Sequence, residues 1–118
     1  MKYMPQEIEV WYVIPAIRRE LAKAMAAAGL MQKDIAARLG LTEPAVSQYI
    51  KSKRGKDVVF PKDIQDRILQ AAKRIMRDDN LMMAEVQAVC NMVKKKGLLC
   101  KIACRYYDAP RDCCVCMR

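Results

Sequence analysis

The sequence predicts an all-α protein, a helical bundle followed by a small cysteine-rich module. Three observations predict it. Helix formers and alanine dominate the 118 residues, with four glycines, one tryptophan and one phenylalanine, and no strand-like alternation repeats. Apolar residues recur at three- and four-residue steps along most of the chain. All six cysteines fall between Cys90 and Cys116. This length suits one domain with an appendage. We place a bundle with an N-terminal arm at 1–77, and a long helix with the cysteine module at 78–118.

The arm, 1–14, reads two ways. Ile8, Val10, Tyr12 and Ile14 alternate as in a strand, whereas Pro5 followed by Glu7 and Glu9 suits a helix start. The reading adopted is a helix or an extended arm packed on the core, with Trp11 as a packing anchor. Residues 15–28 read as the first full helix, with Pro15 in its first turn and Gly29 as its stop. Ile17, Leu21, Ala24, Met25 and Ala28 form its apolar face. Arg18, Arg19 and Lys23 lie off that face, either solvated or turned to phosphates.

Residues 32–49, QKDIAARLGLTEPAVSQY, read as two short helices joined by a turn. Ile35, Ala36, Leu39, Leu41, Val46 and Tyr49 are its apolar residues. Gly40 ends the first helix in a left-handed conformation that glycine adopts cheaply. Thr42 caps the second helix, and Pro44 falls in its first turn, where a missing N–H costs nothing. Ala36 lets the two axes cross closely. The run 51–56, KSKRGK, then places four cations in six residues.

Residues 57–60 are short and extended, because Phe60 precedes a proline. A helix over 61–77 buries Ile64, Ile68, Leu69, Ala72, Ile75 and Met76. Asp78, Asp79 and Asn80 break it, and Asn80 caps a last helix over 81–96, with Leu81, Met82, Val86, Val89 and Val93 as its stripe and Gly97 as its end.

The net charge of +9 predicts attraction to a polyanion, nucleic acid first. No apolar run reaches the ~18–20 residues of a membrane span, and the N-terminus lacks a signal-peptide layout, so a cytoplasmic protein without a membrane partner is expected. An enzyme is not expected. The chain has no histidine, no glycine-rich phosphate loop and no paired carboxylates in an apolar setting. The Cys113–Cys116 pair lacks the strand–helix frame of a thiol oxidoreductase.

In a reducing compartment, clustered cysteines bind metal or sense redox state more often than they form disulfides. Cys113 and Cys116 form a C-x2-C knuckle. With Cys90 from the last long helix and Cys100 from a following loop they make a four-thiolate set, leaving Cys104 and Cys114 spare. A zinc ribbon usually presents two knuckles and only one exists here, so an iron–sulfur cluster of the 4Fe–4S kind is the preferred cofactor and zinc the alternative. Lys94, Lys95, Lys96, Lys101, Arg105 and Arg111 would offset the thiolate charge.

With Gln32, Ala36, Gly40, Thr42, Val46, Ser47, Gln48 and Tyr49 at these places, the stretch resembles the helix-turn-helix of the Xre (lambda-repressor-like) regulators. The whole chain resembles small archaeal regulators that join this motif to a C-terminal cysteine motif. PAIRRELA at 15–22, AVSQYIKSKRG at 45–55, GLLC at 97–100 and the knuckle at 113–116 carry that likeness. The resemblance implies a lambda-repressor-like bundle and a sequence-specific transcriptional regulator. Its partners would be a double-stranded DNA operator and a second copy in a homodimer.

Gln32 would brace a phosphate, and Glu43 and Gln48 would point at base edges from a helix that Thr42 caps. Glutamine can bond N6 and N7 of adenine, and a carboxylate favours the N4 donor of cytosine. Pro44 replaces a polar reader and offers an apolar contact to a thymine methyl. Ser47 would reach a base edge or a phosphate, and Lys51, Lys53 and Arg54 would contact phosphates. Relatives often carry a histidine shortly after Cys100; its absence here leaves Cys104 as the substitute ligand. The cluster would report redox state, oxygen or iron supply. The alternative is a DNA- or RNA-binding protein with a purely structural zinc site of four cysteines.

Overall fold

In a computed structural model that describes residues 4–51, 55 and 58–107, every regular element is helical. Helix α1 (Pro5–Ile8), a π-helical turn (Glu9–Val13) and α2 (Ile14–Ala27) form one uninterrupted helical run. The arm is therefore helical, and the helix passes through Pro15 instead of starting there. Proline has no N–H to give the carbonyl four residues back, and its ring crowds that carbonyl. The π turn just ahead accommodates it, with the Ile14 N–H donating to the Glu9 carbonyl across five residues. Ile8 and Val13 are buried, but Trp11 stands 48% exposed and is no core anchor.

Helix α3 (Gln32–Leu39) and α4 (Glu43–Ile50) follow, joined as the sequence predicts. Gly40 has φ +66°, the Leu41 N–H donates to the Ala36 carbonyl at 2.9 Å, and the Thr42 side chain accepts from the Ala45 N–H at 3.2 Å. Ile35, Ala36, Leu39, Val46 and Tyr49 are buried, so the inward faces of both helices meet the core.

Helix α5 (Lys62–Arg77) packs on α2 and on α6 (Met82–Lys95). Ile64, Ile68, Ala71, Ala72 and Ile75 are buried, whereas Leu69 is half exposed, one position off the stripe. Asp78, not Asn80, caps the connection: its side chain accepts from the Asn80 N–H at 3.0 Å and opens a 3-10 turn (Asp79–Leu81) that leads into α6. Leu81 lies on that turn and is exposed. Lys96 at the end of α6 pairs with Asp63 at the start of α5, as antiparallel neighbours require.

Gly97, with φ +72°, ends α6 as the sequence predicts, but the chain then turns into more helix. A further helix, α7 (Leu98–Tyr107), rests on α6 and α1, with Leu99 and Ile102 buried. Cys100, expected in a loop, therefore stands on a helix. Val89, Cys90, Val93, Leu99 and Ile102 join the same buried cluster as the side chains of α2 to α5.

Candidate nucleic-acid interface

Glu43, Pro44, Ser47, Gln48 and Lys51 fall at three- to four-residue steps along α4 and its C-terminal cap, and so share one outer strip. Glu43, Pro44 and Lys51 are exposed, and Ser47 and Gln48 are part-exposed. Val46 and Tyr49 anchor the opposite side, and α4 lies between α2 and α3. Gln32 occupies the first turn of α3 and is exposed, as is the cap residue Thr42. The structure thus gathers Thr42, Glu43, Pro44, Ser47, Gln48 and Lys51 on one element and puts Gln32 at the start of the helix packed against it. Lys53 and Arg54 lie outside the described residues.

Gly55, within the run 51–56, packs against the start of α2. Its backbone has φ +72°, and a Cβ placed there would stand 2.3 Å from the Pro15 carbonyl oxygen. Only a glycine lets the chain lie this close to the start of α2. Just beyond, Val58 and Phe60 are buried, and Arg19 secures that segment by donating to the Val58 carbonyl at 3.2 Å while pairing with Glu20 at 2.8 Å. Arg19 is therefore a buried structural residue, not a phosphate contact. Gly55 and Val58 are thus both fixed against α2.

Two further polar groups set the frame and were not legible as functional or structural residues. Arg38 on α3 donates to the Ile75 and Met76 carbonyls at 3.2 and 2.8 Å, placing a cation at the C-terminal end of α5. Glu85 on α6 is buried and accepts from Arg67 at 2.7 Å and Arg74 at 3.0 Å, both on α5. Burial alone would raise the Glu85 carboxyl; the hydrogen bonds and charges of the two arginines outweigh it and hold the group below its ordinary value.

Of the cysteines, Cys90 is buried at 4% exposure, with its thiol pushed up to about 11 by burial and by the nearby charge of Glu9. Cys100 and Cys104 are part-exposed on α7 and line one surface depression with Lys101 and Arg105. Cys113, Cys114, Cys116 and Arg111 lie outside the described residues. No family model, curated protein or solved structure matches this chain.

Proposed function

We propose that this protein is a sequence-specific, double-stranded DNA-binding regulator of transcription of the Xre type, acting as a homodimer, with a helix-turn-helix formed by α3 and α4. The observation that carries this reading is the outer strip of α4. It presents Glu43, Pro44, Ser47 and Gln48 side by side on a helix whose reverse face is fixed by Val46 and Tyr49, with Lys51 at its C-terminal cap and the run KSKRGK following in sequence. A helix of that kind fits the major groove, where Gln48 and Glu43 can address base edges while Lys51, Lys53 and Arg54 neutralise phosphates. The charge of +9 supports the same partner.

The C-terminal cysteines are the proposed switch. An iron–sulfur cluster held by their thiolates supplies the redox chemistry when bound. The route to DNA is a run of packed elements: α7 rests on α1, α1 continues through the π turn into α2, and α2 packs on α4. A change in how α7 sits alters the seating of α1 and so the spacing of two recognition helices. Half-sites on one DNA face require a separation near ~34 Å, so a small rotation abolishes specific binding. Purification without oxygen, followed by absorbance, iron and zinc content and DNA binding before and after air, tests the switch. We expect a coloured iron protein whose DNA affinity changes on exposure to air. A colourless zinc protein that ignores oxidation would refute the sensor and leave a structural zinc site.

A further inference from the structure

The metal ligands can be assigned more closely, an inference that rests on the cysteine-module reading above. Cys100 and Cys104 are four residues apart on α7, so their side chains leave one helical face with Cβ atoms about 5–6 Å apart. Both are part-exposed and share one depression with Lys101 and Arg105. Cys90 is 4% exposed and belongs to the core with Val89 and Val93, a core against which part-exposed Cys100 packs. No three side chains of the Cys, His, Asp or Glu type converge among the described residues, so Cys90 does not join the other two.

We propose that Cys100 and Cys104 form a two-thiolate clamp for a thiophilic metal ion, and that Cys90 is a core residue outside the ligand set. Sulfur lies about 2.3 Å from a bound zinc-like ion, so two sulfurs on one ion stand roughly 3.8–4.6 Å apart, from tetrahedral to linear. One turn of helix can meet that spacing by side-chain rotation alone. Cys90 is buried in the core, so an ion reaching it would have to displace close-packed side chains. Thiolates select zinc, copper(I) or iron–sulfur iron over magnesium or calcium, and Lys101 and Arg105 offset the anionic charge of the pair. The clamp supplies both donors of a two-coordinate ion, or one edge of a four-coordinate site.

Cadmium is the probe, titrated into the reduced full-length chain without oxygen against a competing chelator. Thiol alkylation mapped by peptide mass reports which cysteines the metal shields. We expect Cys100 and Cys104 to be shielded together. Cys100→Ser and Cys104→Ser should each weaken cadmium binding at least about tenfold, the lower end of what even an outer-shell change costs. Cys90→Ala should hold cadmium as tightly as the unaltered chain while melting at a lower temperature. Wild-type affinity in Cys104→Ser, or a tenfold loss in Cys90→Ala with its helicity intact, would overturn the assignment. An unaltered chain that takes no cadmium overturns the clamp and the metal reading together. Shielding as expected without any iron–sulfur cluster on reconstitution supports the clamp and sinks only the cluster.

Discussion

Gly40 and Gly55 share a left-handed backbone but have different surroundings, and that difference makes a quantitative prediction. An added Cβ meets nothing within 4 Å at Gly40 and meets the Pro15 carbonyl oxygen at 2.3 Å at Gly55. Gly40→Ala should cost only the backbone penalty, about 1–2 kcal/mol. Gly55→Ala should cost more, because the backbone at 55 must also move away from Pro15. Urea unfolding of both variants checks the order, and equal losses would contradict the close approach. Cys90 gives a second prediction. Its thiol ionises near 9.0 when unperturbed and near 11 in the fold, so its contribution is intact below pH 9 and is lost as pH rises through 9 to 11. The alkaline fall in stability should therefore be shallower in Cys90→Ala, measured by melting temperature against pH. At this scale the turn residues Gly40 and Thr42 were legible, because each is chosen by local backbone geometry. Arg19 was not, since its burial depends on the Val58 carbonyl, thirty-nine positions away.

Between elements, the link from α6 to α5 through Glu85 rests most heavily on a single side chain. Its folded carboxyl lies below the ordinary value of 4.5, so this stabilisation is present above that pH and lost as pH falls below it. Glu85→Gln should cost about 1–3 kcal/mol at neutral pH and flatten the acid limb of stability, with Arg74, largely exposed, limiting the loss by solvent screening. If α4 reads DNA as proposed, its strip divides by role. Gln48→Ala should cost ~1–3 kcal/mol at one base position and relax preference there, whereas Lys51→Gln should weaken all sequences alike and lower the salt slope by about 1. Binding to a panel of single-base variants of one site separates the two. Helices α3, α4 and α5 were legible because each carries one apolar stripe between recognisable ends. The passage through Pro15 was not, because proline marks a helix start unless a π turn makes room for it. Helix α7 was not legible either, because Gly97 reads as a stop and the cysteines of GLLCKIACRYY read as ligands in a loop, although Leu99 and Ile102 already carry a three-residue step. Which of these cysteines share a face depends on that helix, which spacing alone did not reveal.

For the whole molecule, the basic charge and the packed route from α7 through α1 and α2 to α4 define how binding and control would be joined. Neutralising each phosphate releases condensed counterions, so affinity should fall linearly on a log scale with salt, by about 0.9 per contact. This term makes every nucleic acid attractive and cannot by itself establish a regulator. Sequence preference can. The most direct measurement is selection of a bound site from a random duplex library, followed by competition among the selected duplex, a scrambled duplex and RNA at fixed physiological salt. We predict that the selected duplex binds at least about a thousandfold more tightly than either competitor, and that Gln48→Ala narrows the gap. Equal binding of all three, with Gln48→Ala without effect, would contradict a DNA-reading role for α4.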